Sequence, residues 1–134
     1  MSWLRPTGVE RVISAVDKLF IRELRVETII GFFDWERRVK QNVSIDLELA
    51  TDARRAARTD SVRSTLNYDD LARRLTEFVG QSEFHLVESL AEAVAGIALR
   101  EFGAPWVKVT IVKPGAVDGA RDVGIVIERH AADA

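Results

Sequence analysis

Lysine seldom lies on the apolar side of a strand, yet Lys113 does. In Val107-Lys108-Val109-Thr110-Ile111-Val112-Lys113, the residues Val107, Val109 and Ile111 share one parity, and Lys113 falls on it immediately before Pro114 and Gly115. An ammonium group there, beside a rigid turn, is where desolvation would favour the neutral amine and make a base. The same position also suits a lysine whose stem runs from a strand end into water. Three further groups have the chemistry of acids or bases. Glu36 lies in an aromatic turn between Trp35 and the arginines Arg37 and Arg38, and on its own reads as an exposed carboxylate paired with one of them. Tyr68, the single tyrosine, opens a helix, where packing is the ordinary reason for a phenol. Glu88 stands roughly 160° around its helix from Leu90, away from the apolar stripe.

Other chemistries lack their residues. The chain has no cysteine, which removes disulfides, thiolate metal sites and cysteine nucleophiles, and its two histidines, His85 and His130, have no ligand partner at useful spacing. Neither a phosphate-cradling glycine loop nor a G-x-S-x-G or H-E-x-x-H motif is present. The formal net charge of -2 argues for neither nucleic acid nor an anionic membrane as partner. No apolar window has the length of a membrane span and the start lacks a secretory pattern, so a cytoplasmic location is expected.

The elements that must position these groups fit one domain of 134 residues. Phe20 to Ile30 reads as a strand with Phe20, Leu24, Val26 and Ile30 inward, closed by Gly31. Gln41 to Ala50 alternates cleanly, with Val43, Ile45, Leu47 and Leu49 on one face, and a hairpin with the first strand is the simplest pairing. Residues 51 to 66 read as a surface connection with at most one helical turn, and the Arg54, Arg55 and Arg58 cluster as a solvated face balanced by Asp52 and Asp60. A helix capped by Asn67 carries Leu71, Leu75, Phe78 and Val79 and ends at Gly80. A second helix from about His85 to Phe102 carries Leu86, Leu90, Val94 and Ile97, widened by Val87, Ala91 and Ala98, and stops at Gly103 and Pro105. Strands from Val107 to Lys113 and Val123 to Glu128 complete a β-β-α-α-β-β order. This predicts an α+β domain, a four-stranded antiparallel sheet with two helices on one face. Long unpaired edges predict association between copies.

Four stretches, IIGFFDWERRVKQ, LNYDDLARRL, HLVESLAEAVA and PWVKVTIVKPGAV followed by DVGIVIER, resemble the dihydroneopterin aldolase family of folate biosynthesis, in register over about residues 17 to 129. The resemblance implies a tunnelling fold whose sheets join into an oligomeric barrel, a ring of four that doubles to an octamer, with sites at the seams between subunits. It implies retro-aldol cleavage of a pterin substrate, 7,8-dihydroneopterin, to 6-hydroxymethyl-7,8-dihydropterin and glycolaldehyde, often with epimerisation at C2′. By position, Lys113 matches the family's catalytic lysine, Tyr68 the tyrosine supplied by a neighbouring subunit, and Glu36 the glutamate near the reacting side chain. Glu88 matches the pterin anchor, Gln41 the supporting glutamine, and Val87 lies with them among the substrate-binding positions. No metal or other cofactor is implied, because the substrate's own N5=C6 imine takes the electrons. A dihydroneopterin triphosphate 2′-epimerase, which keeps the same four acid and base positions, is the nearest alternative; a ring-forming scaffold without chemistry is the other. Residues 1–16 have no counterpart in the family pattern and are expected to be a disordered arm or a mis-called start before Val16, leaving residues 17–130 as the aldolase domain.

Overall fold

The computed structural model describes residues 17–133; the expectation for residues 1–16 lies outside them. Alternation in the second strand does what its sequence demands: along β2 (Gln41–Thr51) Val43, Ile45, Leu47 and Leu49 are buried while their neighbours reach the other face. This strand and β3 (Trp106–Pro114) form the centre of a four-stranded sheet ordered β1-β2-β3-β4, all antiparallel, with β1 (Asp17–Thr28) and β4 (Asp122–His130) at the edges. Val107, Val109 and Ile111 of β3 stand beside the β2 row, as their parity predicts.

The first strand departs from its sequence reading. Between the pairs Ile21↔Leu47 and Leu24↔Ile45 the register shifts by one residue, and Glu23 takes φ 54° with its amide donating to Asp46 Oδ1 at 2.7 Å. An extra residue in one strand exchanges inward and outward positions beyond it. Leu19 and Ile21 therefore pack on the core before the bulge and Leu24 and Val26 after it, whereas Phe20, expected inside, is 55% exposed on the other face.

Among the described residues three α-helices, one more than expected, accompany the sheet. The extra one, α1 (Ala53–Thr59), is capped by Asp52, whose Oδ1 accepts from the Arg55 amide at 3.0 Å, and ends at Asp60 in the left-handed region. It buries no residue, which is why no apolar period announced it, and Arg54, Arg55 and Arg58 are solvent-exposed on it. Helix α2 (Tyr68–Gln81) starts as predicted, with Asn67 Oδ1 accepting from the Asp69 and Asp70 amides, and runs through Gly80 to stop at Ser82. Helix α3 (Val87–Gly96) starts two residues later than expected and continues as a π turn, Ile97–Glu101, before Gly103 at φ 70°. Helix α2 packs against β1, and α3 against β3 and β4. Leu71, Leu75, Val79, Leu90 and Val94 meet the apolar rows of the sheet in one core. Among the described residues no helix is long and apolar enough to cross a membrane.

Candidate active site

The connection between β1 and β2 is a folded turn with a buried carboxylate. Gly31, at φ 119°, takes a backbone conformation that only glycine adopts readily, and a Cβ on it would overlap the Glu36 carboxylate. The chain then forms a short 3₁₀ helix, Asp34–Arg37, in which Glu36 Oε1 reaches back to accept the Phe33 amide at 3.1 Å, the carboxylate half of a capping box. Glu36 is 5% exposed, while Phe32, Phe33 and Trp35 around it point outward. Its other oxygen, Oε2, accepts from Lys113 Nζ at 2.8 Å and from Gln41 Nε2 at 3.2 Å. Gln41, the first residue of β2, also donates to the Ile30 carbonyl at 2.7 Å, so it is tied to the chain just beyond the end of β1.

Strand register brings Lys113 to this point. Ser44 pairs with Val112, so Lys113 lies one step beyond the last β2 to β3 pair, close to where β2 begins, with its side chain on the buried face. The lysine side chain is 13% exposed and that of Glu36 6%. Burial raises the carboxyl pKa of Glu36, but hydrogen bonds from Lys113, the Phe33 amide and Gln41, with the Lys113 charge, outweigh it and hold the group below its ordinary value. The pair is thus an ammonium and a carboxylate kept largely from water, an arrangement that can accept, hold and return a proton.

Glu36 therefore departs from its sequence reading as an exposed carboxylate paired with Arg37 or Arg38; its cation is Lys113, and Arg37 donates to the carbonyls of Gly31, Glu83 and Phe84 instead. Lys113 does not snorkel into water. Tyr68 stands in the first turn of α2, 60% exposed, at the rim of a hollow lined by Ala56, Val62 and Leu66. Val87 opens α3 half-buried against the core, and Glu88 follows it on the exposed side, without a hydrogen-bond or ion-pair partner among the described residues. The fold thus joins Glu36, Gln41 and Lys113 through hydrogen bonds and does not join Tyr68 or Glu88 to them. Gly31 and Arg37 escaped the sequence reading of the site; the glycine ending an apolar run just ahead of D-W-E was the available signal.

A carboxylate and an ammonium paired at the end of an antiparallel sheet backed by helices define an acid–base site on an α+β scaffold. The chain belongs to the dihydroneopterin aldolase family: the family model described as FolB, dihydroneopterin aldolase, matches residues 19–128. It is 44% identical over 114 residues to the dihydroneopterin aldolase of Escherichia coli K12, an alignment covering 85% of this chain and 93% of that one. The crystal structure of E. coli dihydroneopterin aldolase in complex with neopterin superposes with a TM-score of 0.81 at 44% identity, covering 84% of this chain and 98% of the other. The dihydroneopterin triphosphate 2′-epimerase of Pseudomonas aeruginosa is 24% identical over 120 residues, covering 90% of this chain and 98% of that protein.

Proposed function

We propose that the protein is a dihydroneopterin aldolase acting in folate biosynthesis, and that the Lys113–Glu36 pair is its chemical centre. The observation that carries this reading is the 2.8 Å contact between two side chains 77 residues apart, buried together at the end of a strand. In the reaction, Lys113 acts in its neutral amine form, after giving up the proton it holds against Glu36, and takes the proton of the substrate's 2′-hydroxyl. The C1′–C2′ bond breaks, C2′ becomes the aldehyde carbon of glycolaldehyde, and the bond's electrons form a C6=C1′ double bond while N5 is protonated. Protonation of that enamine at C1′, with loss of the N5 proton, gives 6-hydroxymethyl-7,8-dihydropterin. A proton taken up by Lys113 is stabilised as an ammonium against the Glu36 carboxylate. Gln41 keeps that carboxylate in place. The substrate's imine is the electron sink, so these steps call on placed acids and bases alone.

Glu88 is the group proposed to hold the pterin ring, its carboxylate accepting two parallel hydrogen bonds from the ring N3 and 2-amino groups, with Val87 beside it. Its exposure and its lack of a partner among the described residues support that role. Tyr68, exposed and out of contact with the pair, is proposed to complete the site of a neighbouring subunit and help to protonate the intermediate. The edges of β1 and β4, unpaired among the described residues, support joining of sheets between subunits in a ring of four; the doubling of that ring to an octamer is proposed on the family resemblance alone. Epimerisation at C2′ follows from the same cleavage if glycolaldehyde turns over and adds back before release.

The test is incubation of the purified protein, with EDTA, with 7,8-dihydroneopterin and separately with its triphosphate, following pterins and glycolaldehyde by chromatography. The aldolase reading requires 6-hydroxymethyl-7,8-dihydropterin and glycolaldehyde from the unphosphorylated substrate. Epimer alone, formed faster from the triphosphate, would replace it with the epimerase; no product from either would leave a scaffold.

A further inference from the structure

Of the charged groups of the turn that this chemistry leaves unused, Asp34, Arg38 and Lys40 are exposed, and Arg37 stands apart from them. It is half-buried and pairs with no carboxylate among the described residues. Its guanidinium is spent on main chain: Nη1 donates to the Gly31 carbonyl at 2.8 Å and the Phe84 carbonyl at 3.1 Å, and Nη2 to the Glu83 carbonyl at 2.6 Å. Those acceptors belong to two segments. Gly31 opens the turn whose backbone lies against the Glu36 carboxylate, and Glu83 and Phe84 lead into α3. Two more links run the same way, from the Gly31 amide to the Phe84 carbonyl at 3.2 Å and from Thr28 Oγ1 to the Ser82 carbonyl at 2.9 Å.

The first turn of α3, which carries Val87 and Glu88, has no side-chain cap: its N-cap is Leu86. A helix start that does not fix itself takes its place from the chain before it, and that chain is what Arg37 grips. We infer that Arg37 is a positioning residue, setting the separation between the Glu36–Lys113 pair and the Glu88 end of α3. A substrate held by its ring at Glu88 then presents its side chain to the pair at the right depth. The inference rests on the reading of the site as a pterin aldolase. A planar fork with several fixed donors suits acceptors on two segments, whereas a lysine offers a single point of attachment.

The experiment compares wild type with Arg37→Ala and Arg37→Lys, measuring kcat and KM for 7,8-dihydroneopterin, the Kd of neopterin, and thermal unfolding. Misplacement by 1 Å costs about 100-fold in rate, so Arg37→Ala should lose about 30- to 100-fold in kcat, with neopterin Kd changed by less than about threefold. Arg37→Lys should remain at least about tenfold below wild type. Free guanidinium at non-denaturing concentration should raise the alanine variant by at least about tenfold, a response that a merely less stable protein would not give. If Arg37→Ala does not fold, Arg37→Gln, which keeps an amide donor, takes its place, with a smaller loss of kcat, by about tenfold, at unchanged Kd. A kcat within about threefold of wild type, or a loss that tracks Kd and is untouched by guanidinium, overturns the inference. A wild type that does not cleave dihydroneopterin overturns the underlying reading, and this inference with it.

Discussion

Replacing Lys113 by methionine keeps most of the side chain's length and volume and removes its charge, leaving Glu36 as a carboxylate at 5% exposure. Two of its hydrogen bonds survive, from the Phe33 amide and Gln41. Breaking a buried ion pair by removing one partner costs about 3–5 kcal/mol. The surviving donors and the 13% exposure of the Lys113 side chain reduce this to about 2–3 kcal/mol. With a urea slope of about 1–3 kcal/mol per molar, the unfolding midpoint should fall by about 0.7–3 M. Protein concentration must be held constant, because the proposed association between subunits would add to apparent stability. The double variant Glu36→Gln/Lys113→Met removes the stranded charge and should recover at least about 1 kcal/mol relative to Lys113→Met alone. The reasoning is refuted if Lys113→Met costs less than about 0.5 kcal/mol, or if the two substitutions add without coupling.

Three further outcomes follow from the same geometry. Gly31→Ala forces a side chain onto a backbone at φ 119° and into the space of the Glu36 carboxylate, and should destabilise the protein by about 2–4 kcal/mol with loss of turnover; wild-type unfolding and kinetics would disprove that crowding. Because the Glu36 pKa is lowered from 4.5, its ionised form contributes stability that is present above about pH 4.5 and is lost as pH falls through the lower folded-state value. Glu36→Gln should therefore flatten the acid limb of stability against pH, and a limb parallel to wild type would count against the shift. Glu88→Ala should weaken neopterin binding by about 100-fold, as measured by titration calorimetry, with unfolding within about 0.5 kcal/mol of wild type; unchanged affinity would remove Glu88 from the pterin site.

The central strands were plain in the sequence because each alternates without interruption, with Val43 to Leu49 and Val107 to Ile111 filling one face. The edge strand was not, since the extra residue at Arg22 and Glu23 exchanges faces midway and puts Phe20 outside. Helix α1 has no apolar stripe to betray it and rests on its Asp52 cap. At the site, parity singled out Lys113 but could not name its partner, which lies in the hairpin turn 77 residues earlier. The turn also inverts the usual expectation. Its aromatic residues face water and its glutamate faces inward, because the capping bond and Gln41 satisfy the carboxylate and Lys113 neutralises it. The family resemblance implies one site for Glu36, Lys113, Tyr68 and Glu88; of these four, Glu36 and Lys113 meet among the described residues of the single chain.

Single-turnover cleavage of 7,8-dihydroneopterin by Lys113→Met, at an enzyme concentration that saturates the pterin, tests most directly whether the Lys113–Glu36 pair carries the chemistry. The account predicts that neopterin affinity stays within about threefold of wild type while glycolaldehyde release slows by at least about 100-fold. Release within about threefold of the wild-type rate, with the pterin bound equally well, would contradict it.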